Sequence, residues 1–163
     1  MYITHPENIN EIDIPAIQGQ AKNNFLLSQP VNIGGIYTNY SACHFSSDLL
    51  RYLAITIELN IISQKDSIEF ISFPILIPGG AEFGIYPIPV FIDIMKKLRQ
   101  VCMEFLKHHR PVSTKIEQRR ALAFCNERLG SYLLYKHLQE RYAGILPINI
   151  FGYMHTVSSN DYA

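Results

Sequence analysis

The chain has 163 residues, 48% of them hydrophobic and 17% charged, and its formal net charge at pH 7 is zero. This length favours one domain with a sizeable core, and the composition is too apolar for a disordered chain. A neutral chain has no overall electrostatic attraction to nucleic acid or to an anionic membrane.

The cysteines and the N-terminus indicate the cellular compartment in which the protein resides. Three cysteines form no disulfide framework, and the N-terminus lacks the basic region and apolar run of a signal peptide. Prolines interrupt the longest apolar runs, which are too short to span a bilayer. The sequence therefore predicts a soluble, cytoplasmic protein with reduced thiols and no membrane insertion.

An extended N-terminal arm is predicted over residues 1–30, because isoleucines stand there among polar residues with no lasting periodicity. The arm could cross the surface of its own domain. Alternatively, it could dock on a neighbouring subunit, since isolated exposed isoleucines otherwise favour aggregation. In that case Ile9, Ile12 and Ile14 are interface residues.

A β-hairpin is predicted over residues 52–77. Apolar and polar residues alternate from Leu53 to Ile61, which is typical of a half-buried strand, and residues 63–66 form a turn before a return strand over 67–77. A helix is the alternative for the first strand, because a four-residue spacing joins Leu49, Leu53, Ile57 and Ile61. The β-branched residues favour the strand.

A long antiparallel helical hairpin is predicted after the sheet, with helices over about 89–109 and 115–142. Pro111 separates the two helices, and Thr114 with Glu117 fits a capping box at the start of the second. The first helix has one apolar stripe, made of Phe91, Ile94, Met95, Leu98, Val101, Cys102, Phe105 and Leu106.

The predicted fold class is α+β, with the small antiparallel sheet packed on the helical hairpin. A single domain spans residues 31–157, and residues 158–163 form a frayed tail. The apolar surface of the second helix is wider than one partner helix covers. Leu134, Leu138 and Tyr142 are therefore predicted interface residues.

No motif for catalysis, a cofactor or a metal meets its physical requirements. Gly79 and Gly84 have the spacing of a phosphate loop, but the required Lys and Ser/Thr do not follow. Cys43 and His44 are neighbours on a predicted strand or loop, which is a poor geometry for a nucleophile and its base.

The other side chains that could bind a metal ion are better explained by their positions on the predicted helices. Cys102 and Cys125 fall on apolar stripes, whereas Glu104, His108 and His109 lie near a helix end. We therefore predict no catalytic residue, no metal and no cofactor from the sequence.

Basic residues gather around the predicted turn of the helical hairpin. They are Lys107, Arg110, Lys115, Arg119 and Arg120. Such a patch could contact nucleic acid phosphates, although interspersed glutamates favour an ordinary solvated helix face.

The leading functional hypothesis is a non-enzymatic protein–protein interaction subunit or adaptor within a larger assembly, with a protein partner or a homo-oligomer. Low charge, the wide apolar helix and the isoleucine-bearing arm motivate it. The first alternative is a nucleic-acid-binding module that uses the basic patch. The second is a small enzyme whose pocket is assembled from distant residues.

Overall fold

The computed structural model describes residues 25–108 and 120–151, which contain five α-helices and one two-stranded antiparallel sheet. The elements in chain order are β1 (Val31–Asn32), α1 (Ile36–Ser41), α2 (Ser46–Glu58), α3 (Gln64–Ser72), β2 (Ile75–Leu76), α4 (Ile88–His108) and α5 (Ala121–Arg141). A 3₁₀ turn follows at Ile148–Ile150. The predicted class, a small α+β fold with a helical hairpin, is confirmed.

The position predicted for the sheet is wrong. β1 pairs with β2, with Val31 opposite Leu76 and Asn32 opposite Ile75. Helices α2 and α3 occupy most of residues 52–77, where the β-hairpin was expected, and only the end of the predicted return strand is extended. The sheet is therefore short, and it joins two segments that are distant in the sequence.

The α2 segment is helical because its inward-facing residues follow a helical spacing. Leu49, Tyr52, Leu53 and Thr56 are all buried, at intervals of three and four residues. A β-branched residue costs a helix only a few tenths of a kcal/mol, roughly, whereas burying one large apolar side chain contributes about 2 kcal/mol. The strand-like alternation between Leu53 and Ile61 is thus outweighed by burial.

A capping box starts α3. The backbone N–H of Asp66 donates to Ser63 Oγ at 3.0 Å, and the Asp66 carboxylate accepts from the Ser63 backbone N–H at 3.4 Å. Serine with an acidic residue three positions later is a helix-start signal. The prediction of a turn over residues 63–66 missed it, although the signal is present in the sequence.

The capping box gives the protein a specific acid sensitivity. The hydrogen bond from Ser63 Oγ, at 2.6 Å, is the main reason that the pKa of Asp66 is lowered. A carboxyl group with a lowered pKa in the folded state stabilises the fold above its unfolded pKa of about 4, and this contribution is lost as the pH falls through the folded pKa.

We therefore expect acidification to destabilise the natural chain more than an Asp66→Asn variant. Urea unfolding at several pH values between 7 and 2 measures this difference. Parallel stability curves for the two proteins would contradict the expected role of Asp66.

The two long helices run antiparallel. The site of a Cβ on Gly130 lies 3.3 Å from Leu98, and Asn126 Nδ2 donates to Cys102 Sγ at 2.8 Å. Residue numbers therefore rise along α4 as they fall along α5. The predicted boundaries of α4 agree with the structure to within one residue. The second helix, predicted from residue 115, instead begins at Ala121 after the cap residue Arg120, and residues 115–119 lie outside the described residues.

Helix α5 lies at the centre of the fold. It contacts α2, α4 and β2, and its buried residues point in several directions around the helix. The hydroxyl of Ser131 accepts the backbone N–H of Ile77 at 2.8 Å, and Tyr132 packs edge-on against Phe70 and Phe73. The wide apolar surface of α5 is thus covered largely by the chain itself.

The first described residues also belong to the core. Phe25, Leu26, Leu27 and Ser28, which fall at the end of the predicted arm, are buried. Residues 1–24 and the predicted tail, 158–163, lie outside the described residues.

Candidate interaction surface

Helix α4 has an inner face and an outer apolar face. The inner face consists of Ile94, Leu98, Val101 and Phe105, which are buried against α2 and α5. A second series of apolar residues also recurs every three or four positions, so its members share a face of the helix. This face lies roughly 100° around the helix axis from the inner face. We call this series the outer stripe, made of Ile88, Phe91, Ile92, Met95, Met103 and Leu106.

The outer stripe remains exposed in the folded chain. Ile88 and Met103 retain 72% and 52% of their accessible surface, and the other large members, apart from the half-buried Met95, retain between 42% and 44%. Side chains of this size expose roughly 200 Å² when fully open, so these five present roughly 500 Å² of apolar surface. That value lies toward the upper end of the largest patches on monomeric proteins, which are often functional.

A positive charge interrupts the outer stripe near its middle. Arg99 shares the stripe's three-and-four spacing, and Lys96 borders it. The two carboxylates of α4 are already paired, Asp93 with Lys97 at 2.7 Å and Glu104 with Lys107 at 2.6 Å. Within residues 25–108 and 120–151, neither Arg99 nor Lys96 has an ion-pair partner, so the stripe is apolar with a basic centre.

The interface residues predicted on α5 lie elsewhere. Leu134 and Leu138 are fully buried and contribute to the core of the chain itself. Tyr142 is half-buried, and its ring meets that of Phe25 edge-on at 6.4 Å between centroids. The arm residues Ile9, Ile12 and Ile14 lie outside the described residues.

The structure describes two of the five predicted nucleic-acid-binding residues. Lys107 pairs with Glu104, and the Arg120 guanidinium lies 5.2 Å from the centroid of the Phe124 ring. Arg110, Lys115 and Arg119 lie outside the described residues. No described contact brings these basic residues together.

The glycine turn before α4 already has an anionic partner. The Gly79 N–H donates to the Glu127 carboxylate at 2.9 Å, and Gly80 lies against the backbone of Glu127. A carboxylate of α5 thus already occupies the Gly79 amide of this turn. This agrees with the interpretation of the segment as a turn between strand and helix.

No family model, curated protein or solved structure matches the chain. In the part of the chain that the structure describes, no helix is long and apolar enough to cross a membrane.

Cys102, Cys125 and His44 take part in packing, whereas Cys43 is exposed. Asn126 accepts the Tyr52 hydroxyl at 2.5 Å and donates to Cys102, so its amide joins α2, α4 and α5. Burial raises the pKa of the Cys125 thiol to about 12, which keeps it protonated at neutral pH. The His44 ring stacks on Phe124 at 4.4 Å between centroids.

Within residues 25–108 and 120–151, no three His, Cys, Asp or Glu side chains come together in a way that could bind a metal ion. His109, part of the set considered from the sequence, lies outside these residues.

The sequence contained part of the signal for the outer stripe. Phe91, Met95 and Leu106 were assigned to a single apolar stripe of α4, together with residues that are in fact buried. Ile88, Ile92 and Met103 extend the apolar positions beyond what one helix face holds. This excess of apolar positions was the available indication of an exposed face.

Proposed function

We propose that this protein is a non-enzymatic interaction subunit that docks on a protein partner through the outer stripe of α4. The observation that carries this proposal is the two-faced apolar pattern of α4. Its inner face is buried in the chain, while its outer stripe exposes large apolar side chains on both sides of Arg99. An apolar patch of about this size is often functional.

The chemistry of the stripe specifies a partner. Aliphatic and methionine side chains accept an apolar ridge, such as one face of an amphipathic helix. Arg99 and Lys96 favour a carboxylate near the middle of that ridge, because desolvating an unpaired guanidinium is costly. We therefore propose a partner segment with apolar residues on both sides of an acidic residue.

One observation supports an interaction role over chemistry. The thiols of Cys102 and Cys125, two of the side chains considered as metal ligands, are engaged in helix packing. The three free cysteines also fit a reducing compartment, and we propose a cytoplasmic setting for the complex.

A double substitution in the stripe tests the proposed function. We expect Ile92→Ser with Met103→Ser to weaken the native complex about tenfold or more, because buried apolar anchors dominate most interfaces. The tagged full-length chain is isolated from its native cells, and the mass of the complex is measured by size-exclusion chromatography with light scattering.

The matched control is Asp93→Ser with Gln100→Ser, which changes the same number of exposed α4 residues on its polar face. Arg99→Glu adds a charge reversal that should also dissociate the partner. A native mass equal to one copy of the chain would overturn the proposal. So would a complex that survives the stripe variant as well as the control.

A further inference from the structure

We infer that a second apolar surface, at the end of the molecule where α4 begins and α5 ends, rests on the surface of a lipid bilayer. We call this surface the loop patch and define it by Ile85, Ile145 and Ile148. None of these residues belongs to the outer stripe, so the two surfaces can be tested separately. The exposure of the loop patch, its lack of charge and the residues that border it favour a lipid surface.

Two loops converge at this end of the helical hairpin. Leu26 exchanges both backbone hydrogen bonds with Ile85, at 2.7 and 2.8 Å, and the Leu27 N–H donates to the Ile150 carbonyl oxygen at 2.8 Å. Hydrogen-bonded neighbours in a sheet lie about 4.8 Å apart, so the segments around Ile85 and Ile150 are roughly 10 Å from each other, on either side of residues 26–27. The two loops of the patch thus share one end of the fold.

The side chains of the loop patch project from the fold. Ile145 and Ile148 retain 83% and 90% of their accessible surface, more than any other large apolar side chain in the part of the chain that the structure describes, and Ile85 retains 42%. Isoleucines exposed to this degree touch almost nothing of their own chain. A fluid bilayer accommodates such projecting side chains, whereas a protein must supply a fitted pocket for each of them.

Neither loop carries a charge. Residues 83–92 and 142–151 contain no Asp, Glu, Lys or Arg, although 17% of the whole chain is charged. Taking a charge out of water is costly, so a surface that reaches the acyl chains of a bilayer is expected to lack charged residues. The outer stripe differs in this respect, because Arg99 and Lys96 interrupt it. The loop patch therefore matches an uncharged partner, and anionic headgroups are not required to attract it.

Amphipathic residues border the loop patch. Tyr86 follows Ile85 directly, and Tyr142 precedes Ile145 by three residues; both tyrosines are half-buried. The exposed Arg141 places its guanidinium 5.8 Å from the centroid of the Tyr142 ring. Tyrosine is enriched at headgroup depth, and arginine extends its charge to water from an apolar stem. The isoleucines reach only the boundary between headgroups and acyl chains, so the chain rests on the bilayer without spanning it.

Sedimentation with vesicles tests this inference. The purified full-length chain is mixed with sucrose-loaded vesicles of phosphatidylcholine, which have no net charge. We expect the chain to sediment with them equally well at low and at high salt, because screening does not weaken an apolar attraction. Ile145→Ser with Ile148→Ser should lower the partition coefficient about tenfold or more, since burial of one isoleucine changes an equilibrium constant roughly tenfold.

The matched control is Phe45→Ser with Leu50→Ser, which removes two exposed apolar side chains near the other end of the helical hairpin. Phe45 follows His44, whose ring stacks on Phe124 near the start of α5. We expect this control to partition like the natural chain.

A tryptophan probe shows which side chains enter the lipid. The chain contains no tryptophan, so a single introduced one reports only on its own surroundings. With Ile148→Trp, we expect the fluorescence emission to shift to shorter wavelength when the vesicles are added, because the indole ring leaves water. With Leu50→Trp, the emission should not change.

Several results would overturn the inference: no sedimentation with phosphatidylcholine, sedimentation with anionic vesicles alone, or equal losses in the patch variant and its control. A patch variant that breaks the native protein complex, in a chain that no vesicle binds, would assign the loop patch to a protein. The proposed function fails separately, because Ile92→Ser with Met103→Ser leaves the loop patch intact and should not change vesicle binding.

Discussion

Replacement of Gly80 by alanine is expected to destabilise the protein by about 3 kcal/mol, through two separate effects. Gly80 has φ of +54°, a conformation that costs an L-residue about 1 kcal/mol or more. A Cβ at this position would also lie 2.6 Å from the backbone carbonyl oxygen of Glu127. Backbone on a central helix cannot move aside cheaply, so the turn before α4 would shift.

Gly144 provides the matched control for this substitution. Its φ is +82°, and a Cβ there meets nothing within 4 Å. Gly144→Ala should therefore show the conformational cost alone, about 1 kcal/mol. Urea unfolding of the two variants isolates the clash as the difference between their free energies of unfolding. Equal losses in the two variants would contradict close packing of the turn on α5.

Replacement of Tyr132 by alanine is expected to cost about 4 kcal/mol. The Tyr132 side chain is almost fully buried, and its ring lies edge-on to Phe70 and to Phe73, at 5.3 Å between centroids in both pairs. Removal of the ring leaves a cavity where α5 meets α3 and the residue after it. Total stability for a domain of this size is about 5–15 kcal/mol, so the loss is substantial.

Tyr132→Phe separates the ring from the hydroxyl. The hydroxyl donates to Glu69 at 3.2 Å at a part-buried position, and we expect its loss to cost about 1 kcal/mol or less. Chemical denaturation of both variants measures the two contributions. A loss for the alanine variant no larger than for the phenylalanine variant would show that the aromatic cluster does not hold α3 in place.

The sequence predicted the structure best where a single hydrophobic periodicity extends over a long segment. Within the 21 residues of α4, four inward residues repeat at helical spacing from Ile94 to Phe105, and both ends were predicted to within one residue. The period was ambiguous over Leu53–Ile61, where alternating isoleucines fit a strand and every fourth residue fits a helix. Only the surroundings, namely the burial of Leu49, Tyr52 and Thr56 by other helices, decide between the two.

Contacts between distant residues could not be predicted from periodicity. The pairing of β1 with β2 joins segments more than 40 residues apart, with two residues in each strand, too few to show any pattern. The Asn126 amide likewise meets Tyr52 and Cys102 from different helices. The sequence shows which residues of α4 are apolar. It does not show which of these apolar residues α2 and α5 leave uncovered.

The junction at Asn126 has a consequence for recognition. One amide fixes α4 to α5 and also accepts the Tyr52 hydroxyl of α2, so α4 cannot slide or roll without breaking polar contacts that are partly shielded from water. Its outward side chains therefore keep a constant register. A partner that docks on the outer stripe, as proposed, would meet a rigid surface, and little of the association free energy would be consumed in ordering this side of the complex.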